Sequence, residues 1–235
     1  MKSRETIAIV GGGRVGRALT AALRSAGVRV SGPHGRGYAR ISRAEAADAV
    51  LLCVPDAEIA AAAAAIVSGP LVGHCSGATG LDALAPHEAF GLHPLMTVTD
   101  AGADFSGAGA AVAGTTKRAL DLATRLARRL GMHPFALAED DRAAYHAGAS
   151  MASNFLVVLE EAAQRVSGLD RELLAPLVRA SVENWAAEGA DSLTGPIARG
   201  DEETVARHRE AIAERAPELL ELYDVMAEAT RAVAA

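Results

Sequence analysis

The chain has 235 residues, of which 50% are hydrophobic, 3% aromatic and 22% charged, and its formal net charge is -6 at pH 7. This composition is typical of a globular protein with one large or two modest domains, and the negative charge without a basic run disfavours nucleic acid as a partner. The sequence contains neither a run of about 18 apolar residues nor a signal-peptide pattern, so we expect a cytoplasmic protein with no membrane span.

The first predicted element is a strand at residues 7–10, which leads into a glycine-rich turn and then a helix. Gly11, Gly13 and Gly16 have the spacing Gly-x-Gly-x-x-Gly, which allows a tight turn, close approach of the backbone to a pyrophosphate, and close packing of the helix on its strand. The N–H groups at the start of that helix face the phosphates. The predicted cofactor-binding residues here are Gly11, Gly13, Arg14, Val15 and Gly16. The alternative is a glycine-rich turn that binds nothing.

A second strand is predicted at residues 28–30, after Gly27 ends the first helix. Enzymes that prefer NAD commonly carry an acidic residue after this strand, whereas Ser31 stands there and no Asp or Glu occurs between residues 5 and 45. The loop carries basic side chains instead, at His34, Arg36 and Arg40. Arginine binds a 2′-phosphate well, so we predict NADP as the cofactor and Arg36 as a residue that binds it. An indifferent cofactor choice is the alternative.

Further strands are predicted at residues 49–54, 71–74, 90–93 and 133–137, and helices alternate with them. A capping box is predicted at residues 42–45, and Thr115 or Thr116 is suited to cap the helix that runs to Gly131. This alternation predicts an α/β fold with a doubly wound parallel sheet.

The carboxyl ends of those strands carry the next candidate residues, because ligands of such sheets lie beyond that edge. We predict that Val54, Pro55 and Ser76 contact the cofactor and that His93 contacts the substrate. His74, Ser76 and His93 each have a local hydrogen-bonding role as the alternative. The histidines and the two cysteines, Cys53 and Cys75, lack a familiar zinc spacing, so no metal is expected. Two cysteines also fit a reducing compartment without a disulfide framework.

Helical patterns replace strand patterns after residue 138. A long helix is predicted at residues 140–167 and is ended by Gly168, and further helices are predicted at residues 171–188, 202–213 and 217–233. We therefore predict a dinucleotide-binding domain at residues 1–138 and a helical substrate and dimerisation domain at residues 139–235. An all-helical half with this much apolar surface commonly needs a partner, so a homodimer through this domain is expected.

The glycine loop, the strand end at residues 54–56, the long helix and the segment at residues 193–201 together resemble a known family. These features are similar to those of Rossmann-like oxidoreductases with a helical C-terminal domain of unknown function, in the 6-phosphogluconate dehydrogenase-like superfamily. Relatives there include ketopantoate reductase, pyrroline-5-carboxylate reductase and a deazaflavin-dependent NADP reductase. The resemblance covers nearly the whole chain and implies a Rossmann fold and a nicotinamide cofactor, but no particular reaction.

The superfamily's ketoacid reductases generally place a lysine and an asparagine one turn apart on the long helix. If Asn154 matches that asparagine, Ser150 occupies the lysine position, and the only lysines of the chain are Lys2 and Lys117. His146 lies one turn earlier, so His146, Ser150 and Asn154 share a helical face. We predict that His146 donates a proton, with Ser150 and Asn154 orienting it or binding the oxyanion. The alternative is that the three residues only pack at a domain junction.

The segment at residues 193–201 supplies the last candidates. Gly195 and Pro196 predict a turn and Asp201 a helix cap, which would hold Arg199 on a short loop. Because of the resemblance, we expect this loop near the substrate, with Arg199 and Thr194 binding a carboxylate. Pairing of Arg199 with a helix end or a surface carboxylate is the alternative.

Together these features predict an NADP-dependent oxidoreductase that reduces a small carbonyl or imine acid, with a ketopantoate-like 2-oxo acid as the best candidate. The missing lysine supports a different class of function, an NADP-binding sensor or scaffold that has lost the chemistry.

Overall fold

The computed structural model describes residues 5–35, 47–100 and 102–235. The predictions at Arg36, at Arg40 and at residues 42–45 lie outside these described residues. The chain divides into two compact units, Met1–Ser150 and Met151–Ala235. The domain boundary predicted near residue 138 stays a prediction; the first helix after the sheet lies in the first unit, where its Tyr145 contacts His93.

Seven strands and four α-helices make up the described part of the first unit. The strands are β1 (Thr6–Val10), β2 (Arg29–His34), β3 (Ala49–Leu52), β4 (Leu71–His74), β5 (Ala89–Leu95), β6 (Gly109–Gly114) and β7 (His133–Ala136). The helices are α1 (Arg14–Ser25), α2 (Ile59–Ala64), α3 (Lys117–Arg129) and α4 (Arg142–Ser150).

The strands form one sheet in the order β2-β1-β3-β4-β5-β6-β7. Strands β1 to β5 pair parallel with one another, whereas β6 pairs antiparallel with β5 and β7 pairs parallel with β6. The predicted α/β class with a doubly wound sheet is confirmed, and the sheet is mostly parallel, with β5 and β6 as its antiparallel pair. The described residues between β5 and β6 form no helix, and a parallel crossover normally needs one.

Apolar residues pack on both faces of the sheet, as its doubly wound topology requires. On one face Ile7, Ile9 and Leu51 pack in a cluster with the buried sides of α1 and α3. On the other face Ala8 and Val50 pack in a cluster with α2. These side chains alternate along β1 because successive strand residues point to opposite faces. The two buried clusters fix the sheet whose carboxyl edge carries the candidate site.

Two predicted helix ends are present in this unit. Gly27 has a φ of +77°, and its N–H donates to the Arg24 carbonyl, which ends α1 in the expected way. Thr116 precedes α3, and its hydroxyl oxygen accepts a hydrogen bond of 3.2 Å from the Ala119 N–H. Of the two threonines proposed as caps, Thr116 therefore has this role.

The second unit is helical. It contains a π-helical segment (Met151–Phe155) and the helices α5 (Leu156–Ser167), α6 (Arg171–Glu188), α7 (Glu202–Arg215) and α8 (Leu220–Ala234). Gly168 ends α5 in the left-handed conformation, and the Asp201 side chain caps α7, as predicted. Among the described residues, no helix is both long and apolar enough to cross a membrane.

The predicted α-helix at residues 140–167 is wrong in one respect, since residues 151–155 form π-type rather than α-type turns. A π turn contains an extra residue, so the four-residue spacing used for Asn154 does not hold within that segment.

Candidate active site

The glycine loop is packed tightly at two of its three motif positions. Gly11 has a φ of +113°, and a Cβ atom added there would overlap the Cys53 carbonyl oxygen. A Cβ at Gly16 would overlap the Gly11 carbonyl oxygen. These two glycines therefore let the turn lie directly against the end of β3 and the start of α1.

The other side of the loop is open. No described atom lies within 4 Å of a Cβ added at Gly12 or Gly13. Gly13 is also the N-cap of α1 and offers no side chain to its first-turn N–H groups. Open space beside unpartnered amides at a helix N-terminus is the arrangement that binds phosphate.

A cavity of about 550 Å³ adjoins this loop. It lies where β2 and β3 flank β1 on opposite sides, which is the topological switch point at which such sheets bind ligands. Its size lies within the range of small-molecule sites. Its lining includes Gly11, Gly13, His34, Val54 and Pro55.

Ser76 follows β4 and organises the turn beside the cleft. Its hydroxyl donates a hydrogen bond of 2.7 Å to Asp56 Oδ2 and accepts bonds of 3.1 Å and 2.8 Å from the N–H groups of Ala78 and Thr79. A hydroxyl has one proton and two lone pairs, so this one is fully used. Ser76 therefore holds the chain at this edge through its side chain.

His74 is buried at the end of β4. Its Nδ1 accepts a bond of 3.2 Å from the Ser76 N–H, and its Nε2 donates one of 3.3 Å to the Gly80 carbonyl. Burial lowers the pKa of His74, more than its bond to Gly80 raises it. A neutral ring with both nitrogens engaged is a structural support for the same turn.

His93, Tyr145 and His146 meet around Gly77. His93 Nδ1 lies 2.6 Å from the Tyr145 hydroxyl. A Cβ added at Gly77 would be 3.0 Å from His93 Nε2 and 3.0 Å from His146 Cδ2. Both imidazole rings therefore pack closely against Gly77, and any larger residue at this position would crowd them. Burial, followed by the influence of His146, lowers the pKa of His93 to about 4.

Sequence reasoning missed two residues of this cluster. Arg142 is buried at 5% exposure and bonds Glu139, with Nε at 3.3 Å from Oε1. Tyr145 contacts His93 and also stacks edge-on against Phe135. A tyrosine next to the candidate His146, in a chain with 3% aromatic residues, was the available signal for the second.

The two cysteines lie at the same edge. Cys53 and Cys75 are free thiols whose Sγ atoms are 3.7 Å apart. The hydrogen bond between them and burial raise the pKa of the Cys75 thiol. In the part of the chain that the structure describes, no three His, Cys, Asp or Glu side chains are arranged to hold a metal.

The structure brings together only some of the predicted site residues. The glycine loop, Val54 and Pro55 share the cavity, and His93 and His146 share the surroundings of Gly77. Ser150 is the last residue of α4. The remaining predictions, Asn154, Thr194 and Arg199, belong to the second unit, where Asn154 is exposed on the π-helical segment.

Arg199 is exposed on its loop. Its guanidinium donates to the Thr194 carbonyl oxygen, and its backbone N–H donates to the Gly195 carbonyl at 3.2 Å. The loop is therefore closed on itself by the residue that was predicted to bind a carboxylate.

Comparisons with known proteins give a family and a fold. The model of the family described as "Domain of unknown function (DUF2520)" matches residues 109–230. No curated protein matches the chain in sequence.

Several solved structures are similar over nearly the whole chain. Protein TM1727 from Thermotoga maritima is 23% identical, with a TM-score of 0.78, 97% of this chain and 98% of that chain covered. Protein BF3122 from Bacteroides fragilis, described as a candidate NADP oxidoreductase, is 19% identical, with the same TM-score of 0.78 and coverage of 97% and 98%. Pyrroline carboxylate reductase from Plasmodium falciparum, solved with NADP bound, is 15% identical, with a TM-score of 0.58 and 100% of both chains covered.

These likenesses show a Rossmann domain followed by a helical C-terminal domain. They confirm, at the level of fold, the resemblance to Rossmann-like oxidoreductases that the sequence indicated.

Proposed function

Because the chain belongs to the family described as "Domain of unknown function (DUF2520)", we infer its activity from the candidate site. We propose that the protein is an NADP-dependent oxidoreductase that reduces a small carbonyl or imine acid. One observation carries the proposal. The open glycine loop at the switch point and the His93–His146 pair lie at the same carboxyl edge of one sheet. Phosphate binding and proton handling are the two requirements of a nicotinamide-dependent reductase.

The residues of the first unit fit a dinucleotide. Gly11 and Gly16 are fixed by packing, while Gly13 leaves room for a pyrophosphate beside the first turn of α1, with Arg14 and Val15 in that turn. Val54 and Pro55 line the adjoining cavity. When bound, a nicotinamide dinucleotide supplies the hydride for such a reduction.

The choice of NADP over NAD rests on charge. The described end of β2 offers His34 and no carboxylate, and Arg36 follows in the sequence. An arginine makes charge-assisted hydrogen bonds to a 2′-phosphate, whereas the ribose hydroxyls of NAD are usually bound by an acidic side chain.

His146 is the proposed proton donor. Its side chain is exposed, and its ring lies close to Gly77, as the His93 ring does. Ser150 is proposed to orient the reacting group or relay a proton, and Asn154 to donate a hydrogen bond to the oxyanion. His93 is proposed to contact the substrate.

The substrate is proposed to be an acid of the 2-oxo type, with ketopantoate as the model compound. Arg199 and Thr194 are the proposed carboxylate-binding residues of the second unit. A homodimer through that unit is also proposed, because large apolar side chains on α5 and α6, such as Val157, Leu173 and Trp185, are exposed.

The test has two stages. Fluorescence titration with NADPH and NADH should show tighter binding of NADPH, and equal or reversed affinities would contradict the cofactor choice. A scan of 2-oxo acids and imines with NADPH, followed by loss of nicotinamide absorbance, should then reveal turnover. NADPH binding without any turnover would favour a sensor or scaffold, a role that the absence of lysine after residue 117 supports.

A further inference from the structure

The bond between Tyr145 and His93 is the shortest side-chain contact of the site that has not been given a role. Tyr145 lies on α4 and His93 on β5, and the hydroxyl and Nδ1 are 2.6 Å apart. The two rings meet edge to face, with centroids 5.5 Å apart and planes at 90°. A short bond with fixed ring planes sets the orientation of the imidazole.

We assign the Tyr145 hydroxyl as the donor of this bond, because its proton has no other acceptor among the described residues. Burial raises the pKa of Tyr145, so the phenol keeps its proton, and the lowered pKa of His93 leaves the imidazole neutral. Among the described residues, His93 Nδ1 is the acceptor available to the Tyr145 hydroxyl. Since a neutral imidazole has one N–H and one lone pair, a lone pair on Nδ1 places the proton on Nε2.

The other ring nitrogen of His93, Nε2, makes no hydrogen bond among the described residues. The atom lies close to Gly77, where the Cβ of any other residue would be only 3.0 Å from it. A half-buried ring N–H without a hydrogen-bond acceptor among the described residues is available to an acceptor atom of a ligand.

We propose that Tyr145 is a positioning residue that holds His93 in the Nε2–H tautomer, so that His93 donates a hydrogen bond to the reacting carbonyl oxygen of the substrate. The inference rests on the proposed function and narrows it. A carbonyl oxygen accepts such a bond, whereas a protonated imine presents an N–H and cannot. The site therefore favours a 2-oxo acid over an imine acid.

Most of the charged groups around His93 favour its neutral form. His146 and Arg142 on α4 disfavour a positive charge on His93, as does His74 on β4, while Asp56 acts in the opposite direction. His93 then polarises the carbonyl as a neutral donor, and proton donation is left to His146. A neutral histidine used as a hydrogen-bond donor to a carbonyl is an established catalytic device.

The first experiment reads the tautomer directly. Nitrogen NMR of the full chain with labelled histidine should show His93 with a pyridine-like Nδ1 and a pyrrole-like Nε2, assigned by the loss of its signals in His93→Gln. Tyr145→Phe should move the two shifts towards each other. A pyrrole-like Nδ1 in the wild type, or His93 shifts that do not change in Tyr145→Phe, would overturn the proposal.

The chain offers a matched control. Tyr223 makes the same kind of bond, its hydroxyl lying 2.9 Å from Nδ1 of His208 within the second unit. Tyr223→Phe removes an equivalent hydroxyl and should alter the His208 signals while leaving those of His93 unchanged. Movement of the His93 signals in this control would show a global effect and overturn the assignment to Tyr145.

A second experiment separates this inference from the proposed function. Both variants and the wild type are titrated with NADPH and assayed with ketopantoate and with 1-pyrroline-5-carboxylate. We expect the wild type to reduce the ketone faster, and Tyr145→Phe to lose about tenfold in kcat/KM for it with unchanged NADPH affinity. Faster reduction of the imine overturns the substrate preference. Failure to bind NADPH overturns the proposed function itself, whichever tautomer the spectrum shows.

Discussion

Ser76 Oγ donates a hydrogen bond of 2.7 Å to Asp56 Oδ2, which ties the turn after β4 to the segment between β3 and α2. Each of these segments borders the candidate site, one through Gly77 and the other through Pro55. The Ser76 hydroxyl thus fixes the position of one segment of the site relative to the other.

Replacing Ser76 by alanine should therefore destabilise the protein. The N–H groups of Ala78, which is exposed, and Thr79, which is half-buried, lose their acceptor, and a cost of about 0.5–1.5 kcal/mol is expected. Urea denaturation measures the change. Ser181→Ala is the control, since its exposed hydroxyl only donates back to the Leu177 carbonyl, and it should change stability by less than about 0.5 kcal/mol. Equal effects of the two substitutions would deny Ser76 its structural role.

The glycine loop allows ligand binding to be separated from folding. Gly13→Val should leave the melting temperature nearly unchanged, because no described atom lies within 4 Å of the added Cβ, yet weaken NADPH binding strongly. Gly16→Val should lower both, because its Cβ overlaps the Gly11 carbonyl. Thermal melts and fluorescence titration measure the two properties. A Gly13 variant that binds NADPH as tightly as the wild type would place the phosphate elsewhere.

The stability of the protein should depend on the protonation of His93. Its pKa is about 4 in the folded chain and 6.5 in the reference state, so below pH 6.5 the unfolded chain binds a proton that the folded chain does not. Stability should then fall as the pH drops from 6.5 to 4, by on the order of 3 kcal/mol. Denaturation at several pH values measures this slope. His93→Gln should flatten it, whereas His133→Gln, on an exposed side chain, should not.

Local patterns predicted those parts of the fold that neighbouring residues determine. The bounds of β4 at Leu71–His74 and of α6 at Arg171–Glu188 agree with the prediction, because continuous apolar runs and helical spacing are encoded nearby in the sequence. Strand β6 was missed because Gly109–Gly114 consists mainly of glycine and alanine, which are depleted in strands. Its pairing with β5 decides its conformation, and that contact is not local.

The candidate site likewise contains features that the local sequence predicts and features that depend on contacts between distant residues. The glycine loop was found from spacing alone, since the turn and the helix N-terminus are adjacent in the chain. The Tyr145–His93 bond joins residues 52 positions apart and depends on how α4 lies against β5. Likewise, the use of the Ser76 hydroxyl by Asp56 could not be deduced from the order of residues.

His146→Gln tests the proposed proton donor. Loss of a general acid typically costs about 100-fold to 10,000-fold in rate, and NADPH affinity should be unchanged because His146 lies away from the glycine loop in the sequence and contacts the Gly77 turn. The rate of ketopantoate reduction by the variant and by the wild type is the measurement, with fluorescence titration for the NADPH affinity. Undiminished turnover would make His146 a packing residue.

Arg199→Ala tests whether the second unit binds the carboxylate of the substrate. The guanidinium is exposed and is held by the Thr194 carbonyl, which orients it without neutralising its charge. Truncating one partner of a charge pair in a desolvated site costs roughly 2 to 5 kcal/mol, so the KM for an acid substrate should rise by about 30-fold or more with unchanged NADPH affinity. Arg207→Ala is the matched control, because that exposed arginine of the same unit pairs with Glu203. If Arg199→Ala lowers the melting temperature but leaves the KM for the acid unchanged, the arginine closes its loop and the carboxylate must be bound by another residue.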